Sequence, residues 1–395
     1  MEKKDKNLNV PNLRFPEFSG EWERCTIGDI TRNFSLRNKD KIQYPMFSVT
    51  NSRGFVPQSE QFEDREMIGE DIKAYKIIHE GDFAYNPARI NVGSIAKYDK
   101  SEPCMISSLY VCFKALPQIN NEWLMQLLKT PKMNFYYNVN GEGGVRVYLF
   151  YPNFARIRTS YPSLAEQQKI ASFLSLLDQR IETQRKIIEK YESLIRGLIT
   201  SVNKGEICKC KATALKDVLT EVHEKNVENH EVCSVSVSQG VINQIDYLGR
   251  SFAAKEVLHY NVVNYGDVVY TKSPTGEFPY GIVKRSNLDR PVAVSPLYGV
   301  YRPVNDYVGI YLHLYFKSPV NTKNYLHRLI QKGAKNTINI TNQHFLDNQI
   351  LIPEHGWLEI IVNAASTIEK MIQIECDALL WLERQKNYLL SKMFI

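Results

Sequence analysis

The sequence predicts an α+β protein built from two similar β-rich mixed α/β modules, each followed by one long helix. Two observations lead to this prediction. Short motifs in the first half of the chain recur in the same order in the second half, and a heptad pattern typical of a long helix follows each set. The length of 395 residues and the hydrophobic content of 44% suit two globular domains and exclude a largely disordered chain.

The internal repeat is clearest around two Gly-Asp pairs. The segment YKIIHEGDFAY at 75–85 matches YNVVNYGDVVY at 260–270, an offset of 185 residues. The segment SSLY at 107–110 matches SPLY at 295–298, an offset of 188 residues. The other matches are strand-like runs that reach Gly54 and Gly240, GSIAK at 93–97 with GIVK at 281–284, and GGVR at 143–146 with GAKN at 333–336. Ordered matches with a slowly growing offset indicate a duplicated unit with small loop insertions.

The repeat divides the chain into six segments. They are a lead-in at 1–20, a first module at 21–162, a central helix at 163–202, a linker at 203–212, a second module at 213–353 and a C-terminal helix at 354–395. Short apolar runs between turn residues predict strands at 74–79, 83–86, 109–114, 259–263, 267–271 and 297–301. One helix per module is predicted at 121–129 and 322–332. The Gly-Asp pairs are typical of turns that lead into a strand.

The two long helices carry matched seams. Ser163 can cap the first helix, and Glu166 three residues later completes a capping box. Spacings of three and four then alternate, and the same series returns 191 residues later. The seam residues are Leu174, Leu177, Ile181, Gln184, Ile188 and Ile195 in the first helix, and Ile368, Ile372, Glu375, Leu379, Leu382 and Leu389 in the second. A surface helix on its own domain would explain one such stripe. Two matched stripes, each with a polar layer, predict an antiparallel coiled coil with a pseudo-twofold internal repeat.

Two modules joined by long helices would suit a polymer with two recognition points. A helix of 36 residues spans roughly 54 Å, and half-sites about 34 Å apart lie on one face of duplex DNA. Proteins read DNA with Arg, Lys, Asn and Gln side chains. Residues of these and similar types lie in predicted loops beside glycines: Asn51, Arg53, Asn86, Arg89, Asn91, Arg146, Tyr148, Gln239, Lys272, Thr275, Lys335 and Asn336. Each could equally be an ordinary solvated loop residue, and the net charge of +6 is compatible with an anionic partner without requiring one.

No pattern for catalysis, for a cofactor or for a metal stands out. The chain has no G-x-x-x-x-G-K-[ST] phosphate loop, and its seven cysteines include no C-x2-C pair. We therefore expect a chain that is not an enzyme and has no catalytic or metal-binding residues. The charged N-terminus lacks the apolar region of a signal peptide, and no run of 18 apolar residues occurs. A cytoplasmic protein is expected.

Several segments resemble the specificity subunits of type I restriction–modification systems. They are PNLRFPEFSGEWE at 11–23, GDFAYN at 81–86, GSIA at 93–96, PSLAEQQKIASFLSLLD at 162–178 and QKNYLLSKMF at 385–394. The resemblance covers essentially the whole chain, and the segment at 162–178 is its most specific part. The second helix departs from the pattern, because it begins EHGWLEI at 354–360 without the EQQKI found at 166–170. This departure puts in doubt whether the two ends dock partners equivalently.

The resemblance implies two target recognition domains, each reading one half of a gapped double-stranded DNA target. It also implies that the helices set the spacing and dock two modification subunits. Those subunits would supply S-adenosylmethionine and methylate adenine, while restriction subunits would use ATP and Mg for translocation and cleavage. This chain would hold no cofactor of its own. The alternative is a coiled-coil scaffold whose two modules bind proteins or glycans, and the salt dependence of binding distinguishes the two.

Overall fold

The computed structural model describes residues 9–61, 72–143, 148–248, 256–332, 338–354 and 356–395. The chain divides into two compact units. Unit 1 comprises Met1–Arg185 and Asp377–Ile395, and unit 2 comprises Lys186–Cys376. Each unit combines one β-rich module with one part of each long helix. The predicted α+β class, with two β-rich modules and long helices, is confirmed.

Unit 1 is built on a four-stranded antiparallel sheet. Its strands are β1 (Glu23–Thr26), β2 (Thr31–Phe34), β3 (Phe47–Thr50), β4 (Gly54–Pro57), β5 (Lys76–Ile78), β6 (Phe83–Tyr85), β7 (Ile95–Lys97), β8 (Cys104–Ile106), β9 (Val111–Ala115) and β10 (Arg158–Tyr161). Its helices are α1 (Ile27–Ile30), α2 (Gln58–Gln61), α3 (Asn121–Leu128), α4 (Pro131–Asn140), α5 (Tyr151–Ala155) and the first part of α6 (Leu164–Asn203). The sheet order is β2-β9-β6-β7, and the two-stranded pairs are β1–β10, β3–β4 and β5–β8.

Unit 2 repeats this topology. Its strands are β11 (Cys210–Ala214), β12 (Leu219–Glu221), β13 (Cys233–Ser236), β14 (Gly240–Asn243), β15 (Asn261–Val263), β16 (Val268–Thr271), β17 (Ile282–Arg285), β18 (Val292–Val294), β19 (Gly299–Pro303), β20 (Gln331–Lys332), β21 (Ile338–Asn339) and β22 (Gln349–Pro353). Its helices are α7 (Gln244–Leu248), α8 (Asp306–Phe316), α9 (Pro319–His327), α10 (Asn342–Asp347) and the first part of α11 (Trp357–Met393). The sheet order β12-β19-β16-β17 and the pairs β11–β22, β13–β14 and β15–β18 correspond to those of unit 1, and unit 2 has the further pair β20–β21.

The strand register corrects one of the sequence matches. Phe83 on β6 pairs with Lys97 on β7, and the corresponding Val268 on β16 pairs with Arg285 on β17. Lys97 therefore corresponds to Arg285 and not to Lys284. The identity of the two lysines was misleading, because aligning them requires a gap that the backbone does not contain.

The Gly-Asp pairs form the predicted turns before β6 and β16. Gly81 and Gly266 have φ of +83° and +87°, in the left-handed region that glycine adopts without strain. The buried carboxylate of Asp82 accepts the backbone N–H of the residue three positions earlier at 3.0 Å. The buried carboxylate of Asp267 accepts two hydrogen bonds from Arg302, at 3.0 and 3.2 Å. Each buried carboxylate thus has hydrogen-bond partners, and these bonds fix the start of a central strand.

The core of unit 1 is aromatic and takes residues from both of its chain segments. The rings of Phe83 and Phe113 stack across the sheet with centroids 5.0 Å apart. Phe394, from the C-terminal segment, places its ring 5.9 Å from that of Trp123 and 6.4 Å from that of Trp22. The segment 377–395 is therefore part of the core of unit 1 and not an appendage to it.

The predicted strands agree with the structure better than the predicted helices do. The six predicted strands coincide with β5, β6, β9, β15, β16 and β19 to within two residues at either end. The helix predicted at 121–129 is α3. The prediction of one helix per module is wrong, because each module contains several helices. The helix predicted at 322–332 overlaps α9, but its bounds were wrong, because α9 begins at Pro319 and ends at His327. The preceding helix α8 was not predicted. Its sequence, DYVGIYLHLYF, is apolar on most sides and buried, so it lacks the amphipathic period that sequence patterns detect.

Among the helices within the described ranges, none combines the length and the apolar character that a membrane span requires.

Candidate nucleic-acid interface

The loop between β6 and β7, residues 86–94, carries three of the predicted DNA-contacting residues of unit 1. The N–H of Asn86 donates to the carbonyl of Ser94 at 3.0 Å, which closes the loop at its base. The side-chain oxygen of Asn86 accepts the N–H of Ala88 at 3.0 Å and so forms an Asx turn. Arg89 is exposed. Asn86 therefore shapes the loop, and Arg89 presents its guanidinium to solvent.

Tyr148 adjoins the same loop. The N–H of Leu149 donates to the carbonyl of Pro87 at 2.9 Å, which fixes this stretch of chain beside residues 86–94. The ring of Tyr148 is 37% exposed and lies nearly parallel to that of Phe150, with centroids 6.2 Å apart. Two exposed stacked rings beside a polar loop offer a surface on which a nucleic-acid base could stack.

Asn91, in the 86–94 loop, contacts α4. Its Nδ2 donates to Oδ1 of Asn138 on α4 at 3.0 Å, so this amide is partly engaged within the unit.

The hairpin turn between β3 and β4 meets the same loop. A Cβ on Gly93 would lie 3.2 Å from the backbone oxygen of Asn51, so these two segments are in contact. The hydroxyl of Ser94 donates to the carbonyl of Val49 at 2.7 Å. Arg53 is exposed and forms a 3.6 Å ion pair with the exposed Glu60.

The structure thus brings one set of predicted residues of unit 1 onto adjoining segments. They are Asn51, Arg53, Asn86, Arg89, Asn91 and Tyr148. Arg146 lies outside the described residues. Its assignment stays a prediction.

In unit 2 the equivalent loop between β16 and β17 carries Lys272 and Thr275. Both side chains are exposed, and the backbones of Thr275 and Phe278 exchange two hydrogen bonds of 2.9 and 3.0 Å. Gly281 ends the loop with φ +100°, and a Cβ there would lie 1.8 Å from the backbone oxygen of Thr271, so only glycine fits. Gln239 is exposed on the turn between β13 and β14, and β14 contacts β17. Lys335 and Asn336 lie outside the described residues.

A groove in unit 2 is lined by polar groups that the sequence pattern did not predict to lie together. It has a volume of about 600 Å³ and runs beside the 272–281 loop. Although the Lys272 side chain is exposed, neighbouring protein atoms partly desolvate its ammonium group and lower its pKa, an effect that the carboxylate of Glu221 opposes. The lining residues are Lys272, Ser273, Pro296, Leu297, Tyr298, Thr341 and Asn342. The signal that could have identified Leu297 and Tyr298 was present, because they belong to the SPLY segment that matches SSLY.

The seam residues of the long helices lie toward buried surfaces. Leu174, Ile181, Ile195 and Leu389 are buried. Eight others are half-buried: Leu177, Gln184, Ile188, Ile368, Ile372, Glu375, Leu379 and Leu382.

Within each unit the two helices meet. In unit 1 Asp178 pairs with Lys386, and Arg185 pairs with Glu383 at 2.6 Å. Numbering rises along α6 while it falls along α11, so the helices are antiparallel there. In unit 2 one hydrophobic cluster contains Ile195, Ile199 and Val202 of α6 together with Ile361, Val362 and Ala365 of α11.

The EQQKI segment at the start of α6 makes contacts inside unit 1. The buried carboxylate of Glu166 accepts hydrogen bonds from Arg14 at 2.8 and 2.7 Å and from the Trp22 indole at 3.2 Å. The amide of Gln167 accepts the N–H of Asn120 at 2.8 Å and donates to backbone carbonyls. Ser163 accepts the N–H of Glu166 at 3.4 Å, as predicted for a cap. The predicted capping box is only half formed, because the Glu166 carboxylate bonds Arg14 and Trp22 instead of returning to Ser163. The motif therefore links the lead-in to α6 within unit 1. Its absence from α11 is for this reason not evidence that the two ends dock partners differently.

Some apolar side chains on the long helices are strongly exposed. Trp381 is 68% exposed, and the guanidinium of Arg384 lies 5.5 Å from the centre of its ring. In unit 1 a groove of about 600 Å³ runs along this surface. It is lined by Arg180, Gln184, Ala378, Trp381, Leu382, Arg384, Gln385 and Tyr388.

Across the described part of the chain, no three His, Cys, Asp or Glu side chains converge in a way that could hold a metal ion.

Comparison with solved structures gives the fold of nearly the whole chain. The S subunit of a type I restriction-modification system from M. genitalium aligns with a TM-score of 0.56 at 10% identity, over 98% of this chain and 99% of that one. A chain from work on complex assembly and conformational transition of the type I R-M system aligns with a TM-score of 0.54 at 13% identity, over 94% and 97%. A search of curated proteins returns no significant match.

A family model identifies the first half of the chain directly. Residues 19–192 match the type I restriction modification DNA specificity domain. This family is described by DNA specificity and not by a catalytic activity, in agreement with the expectation of a non-catalytic subunit. The match to this family and the fold shared with type I S subunits confirm the resemblance drawn from the sequence motifs.

Proposed function

We propose that each of the two units reads one half of a gapped DNA target on behalf of a type I restriction–modification complex. The observation that carries the proposal is the corresponding sheet order and strand pairs of the two units. The family model covers residues 19–192, which include the module of unit 1. The module of unit 2 has the sheet order and strand pairs of that domain, so the same task follows for it by topology.

The reading surface of unit 1 centres on the 86–94 loop and the β3–β4 turn. Arg89 and Arg53 supply exposed guanidinium groups, which suit phosphates and guanine edges. Amide side chains such as that of Asn51 suit adenine edges. Unit 2 uses the corresponding loop and turn, with Lys272, Thr275 and Gln239. Because the two sets differ in chemistry, the two half-sites should differ in sequence.

The long helices are the proposed docking surface for two modification subunits. Support comes from the exposed Trp381 and Tyr388 beside the groove of unit 1, since a large exposed apolar patch with a polar rim is typical of a protein interface. S-adenosylmethionine, ATP and Mg would belong to the modification and restriction subunits of the complex, which would assemble in the cytoplasm.

Methylation mapping tests the proposal. Adenine methylation is mapped across the genome in cells with the chain, without it, and with residues 21–162 replaced by the module of another family member. A gapped motif should disappear on deletion, and the replacement should change one half of it while the other half stays the same. A replacement that alters both halves would contradict independent reading by the two units.

Binding in vitro separates this function from the scaffold alternative. Affinity of the chain for duplex DNA should fall steeply between 50 and 200 mM salt, because phosphate contacts release counterions. A chain that binds no DNA at either salt concentration would contradict the proposed function.

A further inference from the structure

Two leucines occupy equivalent and unusually exposed positions in the two units. Leu109 is 78% exposed and Leu297 is 74% exposed. Each is the third residue of a four-residue turn, closed by a hydrogen bond from the N–H of Tyr110 to the carbonyl of Ser107 at 3.2 Å, with a counterpart of 3.0 Å in unit 2. An exposed leucine alone needs no explanation. Its recurrence at the tip of the same turn in both units does.

Side-chain hydrogen bonds and packing stabilise the conformation of both turns. The hydroxyls of Ser107 and Ser295 accept the N–H of the leucine two residues later at 3.3 Å. The tyrosine that follows each leucine packs against a small hydrophobic cluster.

The first residue of a neighbouring strand secures each turn a second time. In unit 1, Nζ of Lys76 on β5 donates to the carbonyl of Tyr110 at 2.6 Å. In unit 2, Nδ2 of Asn261 on β15 donates to the carbonyl of Tyr298 at 3.1 Å. The side chains that secure the turn differ, but the turn that they secure is the same.

The leucine turns adjoin the proposed reading loops. In unit 1, Val111 pairs with Tyr85, the last residue before the 86–94 loop, so the turn and the loop leave the sheet side by side. In addition, the N–H of Val49, on the strand that leads to the β3–β4 turn, donates to the hydroxyl of Tyr110 at 3.3 Å. In unit 2, Leu297 lines the same groove as Lys272.

The reading residues around the leucine differ between the units, but the leucine does not. Position 89 is Arg and position 53 is Arg in unit 1, whereas the corresponding segments of unit 2 offer Lys272 and Gln239. A side chain that read a base would be expected to change with the half-site. An unchanged apolar side chain suits a task that both half-sites share, and inserting between stacked bases is such a task for Leu.

On the basis of the proposed DNA-reading function, we propose that Leu109 and Leu297, each presented by a serine-capped, tyrosine-anchored turn beside a reading loop, are apolar wedges that enter a base-pair step in each half-site. The wedge would partly unstack that step and so help to bend the duplex onto the reading loops. Unstacking a base-pair step costs free energy, so DNA in which that step is already weakened should bind more tightly.

The test uses the full chain and a duplex carrying the gapped sequence obtained from methylation mapping. Adenines of one half-site at a time are replaced by 2-aminopurine, whose fluorescence rises on unstacking. The variants are Leu109→Ala and Leu297→Ala, and Val320→Ala, on an exposed face of α9, is the matched control. Leu109→Ala should weaken binding about tenfold and abolish the fluorescence rise in one half-site. Leu297→Ala should do the same in the other half-site, and a mismatch at the affected step should restore most of the affinity.

Unchanged affinity and unchanged fluorescence in both leucine variants would overturn the wedge. So would a loss that disappears when the thymines of the half-site are replaced by uracil, since the leucines would then contact thymine methyl groups. Failure of the wild-type chain to bind the duplex would overturn the proposed function itself. Binding without unstacking would overturn the wedge and leave the proposed function standing.

Discussion

The ion pair that links a strand of the sheet to the first turn of a helix is made of different residues in the two units. In unit 1, Lys97 at the end of β7 pairs with Glu122 in the first turn of α3. In unit 2, the corresponding Arg285 at the end of β17 pairs with Asp306 in the first turn of α8. The two carboxylates are exposed to a similar degree, 56% for Glu122 and 53% for Asp306. The cations differ more: the Lys97 side chain is 13% exposed, whereas the Arg285 side chain is 4% exposed and lies 4.5 Å from the centre of the Tyr265 ring.

This difference shows that the duplication preserves a position and a sign of charge, and not an interaction energy. Both carboxylates are exposed, so water and salt screen both ion pairs. The difference lies in the cation, because Arg285 also contacts Asn287 and the Tyr265 ring. A buried guanidinium held by several partners cannot be removed without leaving those partners unsatisfied. The two units therefore share a topology but should respond differently to equivalent substitutions.

The largest difference between the units is expected at Phe394. Phe394→Ala should destabilise unit 1 by about 3–5 kcal/mol, the usual cost of deleting a buried aromatic ring. Among the described residues, the main hydrophobic cluster of unit 2 does not include Phe394, so unit 2 should keep its stability. Hydrogen exchange resolved along the full chain would measure both values. Leu176→Ala, on an exposed position of α6, is the control. Equal loss of protection in both units would show that they unfold together.

The strand-to-helix ion pair gives the next largest effect. Arg285→Met should cost about 1–3 kcal/mol, since it removes the donor to Asn287 and to the Ser286 carbonyl and the stacking on Tyr265. Lys97→Met at the equivalent position should cost less than about 1 kcal/mol. Denaturant titration of the full chain, followed by probes in each unit, measures both. Similar costs at both positions would mean that burial does not set the strength of this pair.

Lys284 should be a stabilising site to replace. It occupies the position of Ala96 in unit 1, and burial, with the nearby Lys317 cation, lowers its pKa to about 8. The charged lysine is therefore penalised in the folded chain at neutral pH. Lys284→Met, which keeps the length of the side chain, should stabilise unit 2 by about 2 kcal/mol at pH 7.

The effect of pH on this variant has a definite sign. The folded pKa lies below the unfolded value of about 10.4, so the unfolded chain binds more protons between these values. Stability of the wild type from this group should therefore rise as pH increases through about 8, and the advantage of Lys284→Met should shrink over the same range. Thermal unfolding of both proteins at pH 7, 8 and 9 measures it. A gap that widens with pH would contradict the assignment.

The smallest effect is expected in the reading loops. Arg89→Ala should weaken binding to the target duplex by about 1 kcal/mol or more, and by up to about 3 kcal/mol if the guanidinium reads a base edge. Lys272→Ala should act through the other half-site. Filter binding to duplexes with one scrambled half-site tells them apart. If scrambling either half-site removes the effect of both variants, the two loops do not read separate halves.

Elements with a local signal could be predicted from the sequence. The Gly-Asp turns needed only a positive φ and a short polar side chain, and the long helices needed only a sustained heptad pattern. The largely buried helix α8 had no such signal, because it is apolar on most sides. The correspondence of Lys97 with Arg285 was missed for a related reason, since strand register is set by pairing across the sheet and not by residue identity.

The candidate interface was predicted in part. Loop residues beside glycines were chosen by type, and the structure places Asn51, Arg89 and Tyr148 on adjoining segments of unit 1. Their roles stay predictions, as do those of Arg146, Lys335 and Asn336. The chemistry of Asn86 could not be predicted from its type, because its amide oxygen is used within its own turn. Side-chain partners depend on contacts between distant segments, which a single sequence does not specify.

The division of unit 1 between two stretches of chain has a consequence for biosynthesis. Unit 2 is continuous, so all of its residues have been made once Cys376 is added. Unit 1 is begun first, yet it waits for Phe394, the ring partner of Trp22 and Trp123. At about 5–20 residues per second, a ribosome takes about 10–40 s to make the chain that follows Arg185. During that interval the apolar surface that packs against Phe394 stays exposed on the nascent protein. The module made first is therefore the last to complete its core.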